Sequence, residues 1–336
     1  MNERLIVVGA GGISNAWFPV IKAAALQVCA VVDTDLARAQ ERIAQYEVAA
    51  EASSDLPAML AKYTPDFVLD LTIPEAHAQV TCTALEAGCH VVGEKPMAAS
   101  LEEAQRMVAA AEATGRMYMV SQSRRWDVNH DTVRRTVQSG ELGVLTTANC
   151  DFYIGAHFGG FRDEMDSPLI LDMAIHHFDL VRFLTGADPV SVYAHEFNPY
   201  GSWYRGDAAA SCIFEMTNGL VFTYRGSWCA EGCPTSWNGN WRLIGDKGTL
   251  LYEFDKVPEG QVVDGQQGFQ VALRPAAIDV SPMTRLGFDG GLHEMLAYLR
   301  DGQTPQTECH DNIKSLAMVF AAIESSRSGM RVPVRW

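Results

Sequence analysis

The sequence is short of basic residues and has no long apolar run. Lys and Arg number 26 against 41 Asp and Glu, so the 336-residue chain carries a formal net charge of −15. That balance argues against a nucleic-acid partner, which needs a basic face, and against binding to an anionic membrane surface. No apolar stretch approaches the roughly 18 residues of a membrane span. The hydrophobic content of 48% and the charged content of 20% instead indicate a folded, globular chain.

Cysteine pairs with metal-binding spacing are also missing. None of the eight cysteines forms a C-x-x-C, and the closest pair, Cys229 and Cys233, has no second pair to complete a zinc site. The residues after Met1 lead directly into a short apolar strand, without a signal peptide's apolar stretch and small-residue cleavage site. We therefore predict reduced thiols, no metal and a cytoplasmic location.

Short apolar segments alternate with helical segments over the first third of the chain. Strands are predicted at 5–8, 28–32, 66–71, 90–92 and 117–120, and helices at 13–26, 36–46, 77–87 and 101–114. Ser100 and Glu103 form a capping box for the last of these helices. Strands that alternate with helices predict an α/β domain with a doubly wound parallel sheet, which we assign to residues 1–121.

The remainder of the chain has longer strand-like runs in succession. Strands are predicted at 144–153, 190–197, 209–216, 220–228, 241–254 and 269–274, and helices at 128–139, 168–185, 287–300 and 311–328. Asn218-Gly219 is a two-residue hairpin signal, and 257–268 has the composition of a surface loop. Residues 122–336 are therefore predicted to form an α+β domain with an open, mainly antiparallel mixed sheet.

A glycine-rich turn joins the first strand to the first helix. Gly9 suits a tight turn, Gly11 lets the backbone approach a pyrophosphate, and the helix start offers N–H groups to phosphate charge. Ser14 stands where the dinucleotide-binding pattern usually has Gly or Ala. The alternative is a glycine-rich turn without a ligand.

An acid ends the second strand. Asp33 lies 24 positions after Gly9, where a carboxylate can bond the ribose hydroxyls of a dinucleotide. Because Asp33 and Asp35 repel a 2′-phosphate and Thr34 does not attract one, NAD is favoured over NADP. The alternative is that Asp33 only caps the next helix.

A lysine turn ends the strand at 90–92. Lys95 lies on the carboxyl edge of the sheet, where ligands of open α/β sheets bind, and Pro96 favours an extended backbone before it. Lys95 is therefore a candidate for the nicotinamide end of the cofactor. The alternative is a solvated surface lysine.

Three polar residues share one predicted helix. Ser167-Pro168 begins it, and Asp172, His176 and Asp179 follow at i, i+4 and i+7 on one face. Polar side chains on an otherwise apolar helix are costly to bury unless they are used or paired. The alternatives are a core histidine bonded to its own aspartate, and a metal site.

These motifs together resemble those of the Gfo/Idh/MocA oxidoreductase family. The resemblance rests on the glycine turn, Glu94-Lys95-Pro96, Arg124-Arg125-Trp126-Asp127, the run LDMAIHHFD at 171–179 and the run WRLIGDKGT at 241–249. It implies a Rossmann domain, a second domain with an open mixed sheet, a nicotinamide cofactor and a sugar or polyol substrate. It also implies a homodimer or homotetramer that forms through the second-domain sheet.

The resemblance implies a site made of Lys95, Asp172 and His176, with Ala174 where the family usually has glycine. In this site we predict that His176 accepts the hydroxyl proton, since imidazole titrates near neutrality. Asp172 is predicted to orient it, and Lys95 to stabilise negative charge on the reacting oxygen. Lys95 and His176 could also share the proton in a relay.

The predicted contacts complete the hypothesis. Cofactor contacts are predicted at Gly9, Gly11, Gly12, Ile13, Asp33, Thr34, Thr72, Pro74, His77, Glu94, Lys95 and Gln122. Substrate contacts are predicted at Asp179, Arg124 and Tyr153, whereas His177 is predicted to be structural. The predicted function is NAD-dependent oxidation of a secondary hydroxyl in a sugar, inositol or related polyol. The alternatives are a non-catalytic dinucleotide sensor, and a lyase or hydrolase that recycles NAD.

Overall fold

A computed structural model describes residues 3–265 and 269–336 of the chain. Contacts between Cα atoms divide it into two compact units. The first runs to Ser123 and also takes in Arg285–Ile313, and the second comprises Arg124–Thr284 and Lys314–Trp336. The division at residue 121 stays a prediction about domains. The contact-based units differ from it in giving 285–313 to the first unit.

The first unit contains a six-stranded parallel sheet. Its strands are β1 (Arg4–Val8), β2 (Gln27–Val32), β3 (Glu51–Ser53), β4 (Phe67–Asp70), β5 (His90–Glu94) and β6 (Tyr118–Ser121). They lie in the order β3-β2-β1-β4-β5-β6, and every pairing is parallel. This order confirms the predicted doubly wound sheet, whose direction of winding reverses between β1 and β4.

Helices connect these strands: α1 (Ser14–Ala23), α2 (Leu36–Tyr46), α3 (Leu56–Tyr63), α4 (Pro74–Glu86) and α5 (Leu101–Thr114). The helix α8 (Gly287–Asp301) also belongs to the first unit, but it comes much later in the chain. The predicted cap of α5 is confirmed, since Ser100 Oγ accepts the N–H of Glu103 at 3.2 Å. The strand β3 and the helix α3 were not predicted, because each is too short to show a periodic pattern.

The second unit contains a nine-stranded mixed sheet. Its strands are β7 (Leu145–Tyr153), β8 (Pro189–Phe197), β9 (Ala209–Met216), β10 (Val221–Ser227), β11 (Asn240–Gly245), β12 (Gly248–Tyr252), β13 (Glu259–Val263), β14 (Leu273–Pro275) and β15 (Val332–Pro333). The order is β14-β13-β12-β11-β7-β10-β9-β8-β15. Among the pairings of described residues only β7 with β10 is parallel, which confirms a mainly antiparallel sheet.

Some predicted strand boundaries are wrong. The single strand predicted at 241–254 is a hairpin of β11 and β12 with a turn at Asp246-Lys247. The loop predicted at 257–268 contains β13, and its residues 266–268 lie outside the described ranges. The hairpin at Asn218-Gly219 is confirmed. It joins the antiparallel pair β9 and β10, and its residues have φ of 63° and 77°.

The helical segment that carries Asp172 is not one α-helix. A π-helical segment, Leu169–Ala174, precedes α7 (Ile175–Thr185), so the helix predicted at 168–185 is divided. The other helices are α6 (Val128–Gln138) and α9 (Cys309–Ser328), of which α9 begins in the first unit and continues in the second. Short π segments often occur at functional sites.

Among the described residues, no helix is both long and apolar enough to cross a lipid bilayer.

Candidate active site

The glycine turn of the first unit has the geometry that a dinucleotide requires. Gly9 has φ of +98°, and a Cβ there would lie 2.6 Å from the carbonyl carbon of Leu71, so only glycine fits. At Gly11 and Gly12 a Cβ would meet no described atom within 4 Å, which leaves the backbone open to a ligand. Ser14 is buried and its Oγ donates to Gly11 O at 2.6 Å, so it closes the turn.

The start of α1 is suited to a phosphate. Among the described residues, no side chain caps this helix. A helix start with uncapped N–H groups and the dipole's positive end attracts an anion. Ile13, a predicted cofactor contact, is the residue that precedes the helix and is 37% exposed. The turn and the helix start therefore fit the pyrophosphate of a dinucleotide.

Asp33 supports the glycine turn. Its Oδ2 accepts the N–H of Ala10 at 2.7 Å and its Oδ1 accepts the N–H of Asp35 at 2.9 Å. The cap of α2 is Asp35, which accepts the N–H of Ala37, so the alternative that Asp33 merely caps this helix is wrong. Thr34 is exposed beside it. Sequence reasoning missed Arg42, whose Nη2 donates to Ala10 O at 3.1 Å.

A buried polar network follows β4. The carboxylate of Asp70 accepts from Thr72 Oγ1 at 2.6 Å and lies 3.0 Å from Nδ1 of His77. Burial is the largest single effect and lowers the pKa of His77, but the charge of Asp70, its hydrogen bond and the charges of Glu94 and Glu75 together raise the pKa above its ordinary value. His77 is only 1% exposed and therefore lies in the interior of the first unit. Pro74, another predicted cofactor contact, is the first residue of α4. Asp70 was missed, although an acid at the end of an apolar strand is a readable signal.

Glu94 is held inside the first unit next to Lys95. Its Oε1 accepts from Trp17 Nε1 at 2.7 Å and its Oε2 accepts the N–H of Lys95 at 3.1 Å. Burial raises the pKa of Glu94. The peptide bond between Lys95 and Pro96 is cis. Glu94 thus orders the backbone of the lysine turn from within.

Gln122 follows β6 at the same edge of the sheet. Its side chain is 1% exposed, and its amide oxygen and nitrogen have no hydrogen-bond partner among the residues that the structure describes. Buried polar groups are normally paired, so an unpaired amide is consistent with a ligand contact.

In the second unit, Asp172 and His176 are partly exposed on a helical segment that is otherwise largely buried. Of residues 169–184, only Leu171, Asp172 and His176 reach the surface in part, and the others are buried. Asp172 is 14% exposed and accepts from Nε of Arg162 at 2.6 Å. Sequence reasoning missed Arg162, which comes from the loop after β7. The predicted carboxylate and imidazole are therefore both partly exposed, whereas most of the helical segment that carries them is buried.

Asp179 has a structural environment that the sequence did not predict. It is 1% exposed and accepts from Nε and Nη2 of Arg125 at 2.8 and 2.6 Å, and from Ser315 Oγ at 2.8 Å. The prediction that Asp179 contacts substrate rested on its place on the same face of a continuous α-helix and on the family resemblance, and it stays a prediction. The π segment at Asp172 changes the helical register, and Asp179 faces the interior.

Arg124 and Tyr153 are the other two predicted substrate contacts. Arg124 donates to the carbonyl of Trp237 and, at 3.3 Å, to Asn238 Oδ1, and burial lowers its pKa to about 10. Tyr153 ends β7 and is half-buried. His177 is fully buried, and burial holds the pKa of its imidazole well below the ordinary value.

Two family models match the chain. One, described as an oxidoreductase family with an NAD-binding Rossmann fold, matches residues 4–122. The other, described as the GFO/IDH/MocA C-terminal domain, matches residues 130–251. The matches agree with the two sheets and with the order of the motifs.

Named relatives cover most of the chain. D-apiose dehydrogenase of Paraburkholderia graminis is 28% identical over 84% of this chain and 76% of its own length. Inositol 2-dehydrogenase 4 of Saccharopolyspora erythraea is 25% identical over 99% of this chain and 96% of its own length.

A solved structure has the same fold. The oxidoreductase from Agrobacterium radiobacter, in complex with NAD+, L-tartaric acid and magnesium, matches with a TM-score of 0.85 at 21% identity, over 99% of each chain. At this level of identity the likeness supports the fold alone.

Proposed function

We propose, because the chain belongs to the Gfo/Idh/MocA oxidoreductase family, that it oxidises a secondary hydroxyl of a sugar, an inositol or a related polyol. As a member of this family it is an NAD(P)-dependent oxidoreductase that acts on CH–OH groups. The observation that carries the proposal is that Asp172 and His176 are partly exposed on an otherwise largely buried segment. The names of the relatives, D-apiose dehydrogenase and inositol 2-dehydrogenase, support the substrate class.

The proposed chemistry separates the proton from the hydride. Nicotinamide supplies the hydride acceptor when it is bound. His176 accepts the hydroxyl proton as the carbonyl forms, and Asp172 orients the imidazole and stabilises its charged form. Lys95 donates a hydrogen bond to the reacting oxygen and stabilises the negative charge that develops there.

NAD is the proposed cofactor, in preference to NADP. Asp33 ends β2 beside the glycine turn, and Asp35 follows it at the start of α2. Two carboxylates repel a 2′-phosphate, while a carboxylate accepts hydrogen bonds from the ribose hydroxyls of NAD.

We propose that the second-unit sheet pairs with a second copy of the chain. Tyr193 and Ile213 lie opposite one another on β8 and β9, and they are 50% and 49% exposed. Val190, on β8, is 46% exposed. Large apolar side chains that share an exposed sheet face are typical of an interface.

A substrate panel tests the proposed reaction. Reduction of NAD and of NADP is followed at 340 nm, roughly the wavelength of reduced nicotinamide absorbance, with inositols, aldoses and sugar acids. We expect reduction by at least one member and a higher kcat/KM with NAD. Binding of NAD without turnover of any member would indicate a sensor instead, and substrate conversion without net NADH would indicate lyase or hydrolase chemistry.

A further inference from the structure

An arginine flanked by aromatic rings lies next to Asp172. Arg162 donates from Nε to Oδ2 of Asp172, and its guanidinium carbon lies 5.0 Å from the ring centre of Phe158 and 4.7 Å from that of Phe161. The ring of Trp237 lies 6.2 Å from that of Phe158. We call Phe158, Phe161, Arg162 and Trp237 the aromatic–arginine platform.

The platform is open to solvent although its rings are apolar. Phe158, Phe161 and Trp237 are 43%, 67% and 47% exposed. Aromatic rings grouped at the surface beside convergent polar groups are typical of a small-molecule site. Their faces suit the C–H surface of a sugar or polyol, so the platform supplies an apolar bed next to Asp172.

The loop that carries the platform is held by several contacts. Trp203 Nε1 donates to Ala156 O at 2.9 Å, and the ring of His157 stacks on Trp203 with 3.7 Å between ring centres. The N–H of Arg205 donates to Asp163 O at 2.7 Å, one residue from Arg162. Arg162 therefore sits in a braced segment.

Arg162 keeps part of its donor fork available. Its Nε bonds Asp172, but within the described ranges its Nη1 and Nη2 donate no hydrogen bond, and its side chain is 32% exposed. The planar fork of a guanidinium matches the two oxygens of a carboxylate, and such bonds are about twice as strong as neutral ones.

We propose that Arg162 binds a carboxylate of the substrate, which makes the substrate a sugar acid or another polyhydroxy carboxylate. The proposal rests on the proposed function and narrows its substrate class. An arginine bonded to both groups fixes the substrate relative to Asp172. The aromatic rings contribute by covering the carbon skeleton.

Paired substrates test this proposal. Each pair differs in one group, a carboxylate or a hydroxymethyl: D-gluconate against D-glucitol, and D-glucuronate against D-glucose. We expect at least tenfold higher kcat/KM for the acids. Arg162→Gln is expected to lower kcat/KM for the acids by about 10- to 100-fold, as for a lost bond to a charged group. The neutral members are expected to change by less than about threefold. Arg162→Lys keeps the positive charge but not the planar pair of donors, so its kcat/KM for the acids is expected to lie between those of the natural chain and of Arg162→Gln.

Arg205→Gln is the matched control. Arg205 is an exposed arginine near the same loop that pairs with Asp166 at 2.7 Å and does not touch Asp172. It is expected to leave the acid-to-neutral ratio unchanged. Melting temperatures of all variants show whether they fold. An equal fall for both members of each pair would instead make Arg162 a positioning residue for Asp172, and would overturn carboxylate recognition.

Calorimetry separates this proposal from the proposed function. With NAD-saturated protein, D-gluconate is expected to bind at least tenfold more weakly to Arg162→Gln, while the affinity for NAD stays unchanged. If the acid binds through Arg162 but no panel member is oxidised, the proposed function fails and the carboxylate site stands. If neutral polyols are oxidised and no acid binds, the carboxylate site fails and the function stands.

Discussion

His176 is one of two titratable side chains that reach the surface from residues 169–184. The other is Asp172, whose side chain is 14% exposed. Asp179, by contrast, is 1% exposed and pairs with a buried arginine. The position of His176 and Asp172 at the surface gives the imidazole access to a substrate, and the carboxylate lies one turn away in the chain. At the scale of the residue, this arrangement suits proton transfer.

His176→Ala is therefore expected to lower kcat by at least about 100-fold, the low end for a lost acid–base group, and Lys95→Ala is expected to do the same. Steady-state NADH formation with the best panel substrate measures both. His310→Ala is the control, because the His310 side chain is 52% exposed on α9 and belongs to no proposed site. Unchanged turnover in both Lys95→Ala and His176→Ala would remove these roles.

At the scale of the element, the helix α7 carries one member of a buried ion pair. Asp179 on this helix pairs with Arg125, and both side chains are at least 95% buried. The pair also receives the Ser315 hydroxyl from α9, so three segments of the second unit depend on it. A buried charge that loses its partner is far costlier than an exposed one.

Asp179→Asn is expected to destabilise the protein by about 3–5 kcal/mol, because it removes the buried carboxylate that pairs with the guanidinium of Arg125. Asp166→Asn breaks the exposed pair with Arg205 and is expected to cost less than about 1 kcal/mol. Thermal or urea unfolding of the two variants compares them. Similar small losses would show that the buried pair is well solvated.

A second buried carboxyl group, besides that of Asp179 on α7, lies on the strand β8. Glu196 is 6% exposed, and burial raises its pKa from 4.5 to about 7. Since the folded protein favours the protonated form, the stability from this group is full below about pH 4.5 and is lost as the pH rises through about 7. Ser167 Oγ lies 3.3 Å from its Oε2 and can serve an amide equally well.

Glu196→Gln removes this ionisation. The gain in the free energy of unfolding over the natural chain is expected to grow between about pH 5 and pH 8, with a limit of about 3 kcal/mol. Glu324→Gln, an exposed change on α9, is expected to give an offset that does not vary with pH. A flat offset for Glu196→Gln would mean that Glu196 ionises without penalty.

At the scale of the whole molecule, the open face of the second-unit sheet is where we propose that two chains associate. Ile213→Glu places a charge at the centre of the exposed apolar cluster on β8 and β9. Burying that charge is costly, so we expect light scattering to show at least tenfold weaker self-association. Glu259→Gln, an exposed change on β13, is the control. A monomer at all concentrations in the natural chain would end the interface proposal.

Much of the first unit followed from the sequence because its signals are local. Gly9 needs a positive φ, Ser100 caps the helix that follows it, and apolar runs such as β1 are buried on both faces. Each of these depends on a few neighbouring residues, so the parallel sheet and the glycine turn were predictable. The short β3 and α3 were not, because they are held by neighbours rather than by their own periodicity.

The sequence by itself determined the parallel sheet of the first unit and the glycine turn with Asp33, and it indicated Asp172 and His176 as candidate site residues. Only the tertiary structure decided that Asp179 forms an ion pair with Arg125 and that Asp172 forms one with Arg162. These partners lie 54 and 10 residues apart in the chain. No residue pattern predicted the π segment, in which Asp172 is partly exposed, whereas Asp179 on the α-helix that follows is buried. Pairing over such distances depends on how the segments fold back on one another, and the spacing of residue types does not encode it.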